Sequence, residues 1–168
     1  MLRWLLALPL LVLSPAGTAA PAPHCTAPEY HALDFWLGDW DTYNPDGSGP
    51  SQARNHVSSI LEGCVVHEVY DQYDGHRGES FSMYDITRGL WHQTWVTNRG
   101  ELLVLEGRFD AGVLTLVGSN LDAHGKPETI KGIWKAQGKG VRETAYISRD
   151  GGKTWARYFD ILFLPHRP

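Results

Sequence analysis

Turn signals recur along this chain at the short intervals of β-hairpins, and that recurrence constrains the fold more than any other feature. They are Asn-Pro-Asp-Gly-Ser-Gly at 44–49, Leu-Glu-Gly at 61–63, Asp-Gly-His-Arg-Gly at 74–78, Thr-Arg-Gly at 87–89 and Asn-Arg-Gly at 98–100. The series continues with Asp-Ala-Gly at 110–112, Asp-Ala-His-Gly-Lys-Pro at 122–127, Gly-Lys-Gly at 138–140 and Arg-Asp-Gly-Gly at 149–152. Each supplies the glycine or the Asp/Asn side chain that tight turns require. Between them lie about ten runs rich in Val, Ile, Thr, Tyr, Phe and Trp, with no long helical period. Alternating β-α-β architectures are therefore disfavoured. Ten consecutive strands must split into two sheets or close, and closure removes exposed edges. Short turns between nearly all neighbours favour an all-β, antiparallel up-and-down barrel of about ten strands over a sandwich.

The stretch Asp34 to Gly47 sets how such a barrel begins. A short helix is expected over Glu29 to Leu37, ending near Gly38, with Trp40 early in the first strand and Asp39 and Asp41 pointing the other way. The Trp40 indole would then plug one end, its N–H needing a partner.

Gly38-Asp39-Trp40 after a short helix resembles the Gly-x-Trp signature of lipocalins and their calycin relatives. A wider set is similar to a family of exported bacterial proteins with a FDFWLGDWDV-like start, described as lipocalin-like and without an established activity. It comprises Phe-Trp-Leu-Gly-Asp-Trp-Asp at 35–41, Ala-Arg-Asn at 53–55, Leu-Glu-Gly-Cys-Val-Val-His-Glu at 61–68, Trp-x-Gln-x-Trp-Val at 91–96 and Ser-Arg-Asp-Gly-Gly-Lys-Thr-Trp at 148–155. The resemblance implies a lipocalin/calycin-like barrel over 29–168. It also implies a basic residue on a late strand packed over Trp40, a role carried onto Arg157, with Arg142 second.

Residues 1–20 have the pattern of a secretory leader: Arg3, an apolar run from Trp4 to Leu13, then small residues to Ala20. Its removal would leave a Pro-rich tether at 21–28 and place the chain in a secreted or periplasmic compartment, with no membrane attachment after cleavage. In an oxidising compartment the two cysteines, Cys25 and Cys64, are expected to pair. The formal net charge of −4, with no basic stripe, argues against nucleic acid as a partner.

Candidate site residues follow from strand alternation. Trp91, Gln93 and Trp95 share one face of a strand; facing inward they form an apolar wall with an amide at its centre, and they could equally fill a closed interior or cover the outer surface. Glu68 shares a face with Cys64, Val66 and Tyr70, so an inward position would put a carboxylate in apolar company, with Arg54 or Arg142 as partners; the opposite pleat would leave it at the surface. Asn55, Tyr84, Trp134 and Tyr146 could complete a ligand-binding lining. Ser148 to Trp155 matches the Asp-box hairpin pattern, a structural motif in which Asp150 binds the turn backbone and Trp155 packs beneath. The eight histidines show no metal-ligand spacing, and no nucleophile, phosphate or dinucleotide motif occurs, so neither metal nor cofactor is expected.

Three functions compete on these residues. One is a binder of a small, partly apolar molecule; another is an enzyme with Glu68 as general acid or base; the third is an interaction module with a filled core.

Overall fold

The computed structural model describes residues 25–122 and 124–167. The expected leader at 1–20, and the tether up to residue 24, lie outside the described residues. Ten antiparallel strands run β1 Gly38–Tyr43, β2 Ala53–Ile60, β3 Val65–Gln72, β4 Arg77–Asp85, β5 Leu90–Thr97, β6 Leu102–Asp110, β7 Val113–Leu121, β8 Pro127–Gln137, β9 Gly140–Ser148 and β10 Ala156–Pro165. Each pairs with its neighbour in sequence, and β1 closes on β10 through Trp40 opposite Pro165 and Thr42 opposite Phe163. The barrel is therefore closed and up-and-down. Every gap between strands coincides with one of the turn signals.

Alternation decides what faces inward. In β4, Gly78, Ser80 and Ser82 are buried while Arg77, Glu79 and Phe81 are exposed; in β8, Glu128, Ile130, Gly132 and Trp134 are buried between more exposed neighbours. Ten strands spaced ~4.8 Å apart and tilted ~40° enclose a ring roughly 20 Å across between backbones. That is wider than an eight-stranded barrel, whose interior ordinary side chains just fill. Large side chains fill much of one end: Trp36, Trp40, Trp91, Trp134 and Phe163 join a cluster with Leu33, Leu114 and Leu116.

The segment before β1 forms two short 3₁₀ turns, Pro28–His31 and Asp34–Trp36, in place of the single helix expected over Glu29 to Leu37. Its bonds run three residues back, as in Trp36 N–H to Leu33 O and Leu37 N–H to Asp34 O. So short a segment gains little from an α-helical nucleus, whereas a 3₁₀ turn places residues three apart on the same side. Leu33 and Trp36, three apart and almost fully buried, seat on the barrel mouth together. Trp40 donates its indole N–H to the Trp36 carbonyl at 2.9 Å. Gly38 turns the chain into β1 at φ +143°, with the Trp40 indole against it, so a side chain there would be strained.

Cys25 and Cys64 are disulfide-bonded across 39 residues, tying the cap to the connection between β2 and β3. Closing a loop of that length restricts the unfolded chain by about 4 kcal/mol in the entropy account. Aromatic contacts complete the seal, Tyr30 edge-on to Tyr84 and Phe35 tilted against Phe109. Among the described residues, no helix is long and apolar enough to cross a membrane.

Candidate functional site

Strands β2 to β5 give the lumen one polar wall. Asn55, Glu68, Ser80, Ser82 and Gln93 are all buried and sit at inward positions of four successive strands. Register makes them a ladder: Glu68 lies opposite Ser80, and Ser82 opposite Gln93. The Ser80 hydroxyl donates to Glu68 Oε2 at 2.8 Å, and Gln93 Nε2 donates to Ser82 Oγ at 3.0 Å. Strands β6 to β9 face them with leucine, isoleucine, valine and alanine. Two acids break that apolar wall: Glu128, buried on the inward face of β8 and 3.5 Å from Arg149, and Glu143. Glu143, between Val141 and Ala145 on the inward face of β9, points a second carboxyl into the same space.

Burial dominates the chemistry of Glu68 and Glu143. With only 5% of its surface exposed, Glu68 is pushed from an ordinary 4.5 up to about 7 by desolvation, which the bond from Ser80 and the nearby Asn55 amide only partly offset. Glu143 is raised well above the usual carboxylate range by desolvation and then by the charge of Glu68, with the Trp134 indole opposing. Two carboxyls in one dry space cannot both ionise cheaply, so they titrate as a pair. Tyr70, next along the inward face of β3, is raised to about 12, mainly by burial.

Glu143 is half-buried, on the inward face of β9.

Several polar atoms around this pair have no protein partner. They are both ends of the Asn55 amide, the Thr42 hydroxyl and the indole nitrogens of Trp36 and Trp134. Asn55 faces Glu68, Thr42 faces Tyr70 and Trp134 faces Glu143, but none reaches full hydrogen-bonding geometry. A buried group left so costs about 1–3 kcal/mol. Aromatic surface frames the cluster: Tyr70 and Trp95 pack edge to face at 6.1 Å, and Trp95 lies over Gly78, where any side chain would collide with the indole.

Of the sequence-predicted lining, Asn55, Glu68, Gln93, Trp95 and Trp134 converge on this lumen. Tyr84 and Trp91 also face inward, but at the capped end, where they border a groove of about 490 Å³ with Pro28, Ala32, Arg108 and Phe109. Tyr146 does not join them. It alternates with buried Ala145 and Ile147 and so faces outward, where Lys131 lies over its ring at 5.3 Å and over Trp155 at 4.0 Å. Neither expected partner of Glu68 reaches it: Arg54 lies 3.5 Å from Asp41, and Arg142 makes two 2.7 Å bonds to Asp160.

The role carried onto Arg157 is also not filled. Arg157 is the second residue of β10, opposite Tyr146, whereas Trp40 pairs with Pro165 at the far end of that strand. Its guanidinium is mostly exposed, 3.5 Å from Asp160, and Arg142 is equally occupied on the outer face. A bulge between Arg157 and Phe159 separates this outer pair from the lumen register.

The Asp-box forms as its sequence indicates. Asp150 Oδ1 accepts from the Lys153 and Thr154 amides and the Ser148 hydroxyl, while the Gly152 amide donates to Ser148 Oγ. The Trp155 indole N–H bonds Gly152 O at 3.1 Å. Sequence reasoning missed Thr42, Tyr70, Ser80, Ser82 and Glu143. A usable signal existed for Glu143, whose neighbours two positions away, Val141 and Ala145, are apolar as Val66 is beside Glu68.

Comparison with known proteins finds no family model and no curated protein that matches this chain.

Proposed function

We propose that this protein is a secreted or periplasmic binder of a small, partly apolar molecule, held in a lipocalin-like barrel with Glu68 and Gln93 fixing its orientation. One observation carries the reading: two inward carboxyls share an interior with the unpartnered Asn55 and Thr42, on and beside a polar wall that faces apolar and aromatic side chains. A filled structural core would place apolar side chains at such positions, because each orphaned polar group destabilises it. The disulfide and the leader pattern support export.

Non-denaturing mass spectrometry of the processed protein, purified from the compartment where it resides, tests this. An excess mass that is lost on denaturation is the expected result. Bare polypeptide in every preparation would count against it and in favour of an interaction module.

A second reading is favoured by one feature, the elevation of Glu68 to about 7, where a carboxyl both gives and takes protons near neutrality. In an enzyme of that kind Glu68→Gln would abolish turnover while the bound molecule is retained; a binder would lose affinity instead.

A further inference from the structure

Resting on that binding reading, we infer that the lumen selects a small organic cation, a protonated amine with an apolar or aromatic body, over a neutral molecule of the same shape. The argument begins with charge. Among the described residues, no lysine, arginine or histidine occupies an inward position of any strand, while Glu68 and Glu143 both do. The bases are engaged outside: Arg142 with Asp160, Arg54 with Asp41, Arg77 with Asp71, and Lys131 over Trp155. Buried carboxyls are normally paired with a cation or held neutral, and the chain supplies no cation here.

The second observation is independent of charge. Asn55 and Thr42, each about 99% buried, offer an amide oxygen and a hydroxyl oxygen with no protein partner beside Glu68 and Tyr70. An ammonium has three donors and no acceptor, so it needs several oxygens converging on one point. Carboxylate, amide and hydroxyl oxygens supply them. Third, the walls suit a cation with a body attached. Trp95 and Tyr70 stand beside Glu68 across Ser80 and Gly78, and Trp134 lies opposite Glu143 in register. Aromatic faces attract cations within ~6 Å and also cover an apolar body.

Proton linkage gives the proposal a signature. The titratable groups facing the space are Glu68, Glu143 and Tyr70, with Glu128 on the inward face of β8 lying 3.5 Å from Arg149. Without a cation the carboxyl pair holds a proton near neutrality, and an entering ammonium displaces it. Binding of an amine therefore releases a proton, and affinity rises with pH through the range near 7 in which Glu68 titrates. A neutral hydrogen-bonding ligand releases none and prefers the protonated pair.

Isothermal titration of the full mature protein decides the matter. The probes are primary amines from ethylamine to phenethylamine, each set against the alcohol of the same shape, in buffers of different ionisation enthalpy. The expected result is at least one amine bound about tenfold or more tighter than its alcohol, the factor worth one pKa unit of charge interaction, with a proton released to the buffer. In Glu68→Gln and Glu143→Gln that preference and the proton release both shrink. The pH series on the unaltered protein carries the same information should either variant fail to fold. Equal or tighter binding of the alcohols, or amine binding without proton release, overturns the cation assignment and leaves the binding reading standing. Binding of neither series also overturns the assignment, and together with only bare polypeptide by mass spectrometry it removes both.

Discussion

Asp150 and Glu68 carry the same functional group and are driven in opposite directions. In the hairpin after β9 the Asp150 carboxyl is exposed, accepts from Thr154, Ser148 and Lys153, and is lowered to about 2. In the lumen Glu68 is enclosed, receives one short bond from Ser80, and is raised to about 7. The acidity of a carboxyl depends on whether donors or solvent loss dominates. In the hairpin the donors come from within four residues on either side; in the lumen the desolvation comes from other strands and a cap.

The strongest way to break this contrast is to unseal the barrel. Trp36→Ala removes an almost fully buried indole and should cost about 3–5 kcal/mol, with Glu68 falling back toward 4.5 as water enters. Chemical denaturation and carboxyl-selective NMR titration measure the two effects, and an unmoved Glu68 would show that the cap does not desolvate it.

Next in size is the pH dependence. Because folding raises Glu68 from 4.5 to about 7, its contribution is fully present below 4.5 and is lost as pH climbs through 7, a fall of about 3 kcal/mol. Urea midpoints collected across that window check it. Glu68→Gln should flatten the decline and let Glu143 ionise more readily, since the neighbouring charge is gone.

A smaller effect sharpens the comparison by making Glu68 still less like Asp150. Ser80→Ala deletes the donor at 2.8 Å and should raise Glu68 further, by about one pKa unit, at a stability cost near 1 kcal/mol.

The smallest is expected at the hairpin. Asp150→Asn keeps an acceptor for the Lys153 and Thr154 amides but removes the charge, so it should lower the melting temperature by no more than a few degrees and leave the titration of Glu68 untouched. The lowered pKa of Asp150 stabilises the fold above the usual carboxylate range, a contribution lost as pH falls toward 2, so the variant should also show a weaker acid transition.

The two regions also differ in how far they could be read from the chain. Ser148, Asp150, Gly151 and Thr154 carry their own geometry, because their bonds span at most four residues. The ten strands and the shared face of Trp91, Gln93 and Trp95 were legible for a related reason, since turn chemistry and two-residue alternation are local and repeat, but which way that face points was not. The cap was legible as a buried Trp40, but not as two 3₁₀ turns, since that choice depended on seating Leu33 and Trp36 together on a barrel mouth.

What the sequence by itself determined is therefore the closed meander, its turns, the disulfide partners and the Asp-box. Tertiary structure alone decided that Glu68 and Glu143 face one interior, that Tyr146 and Arg157 stay outside, and that among the described residues no base takes an inward strand position. Glu68 and Glu143 lie 75 positions apart and on strands that are not neighbours, so no local spacing encodes their approach. Only closure of β1 on β10 curls both walls around one interior, and that closure turns two ordinary acids into a pair that cannot both be charged.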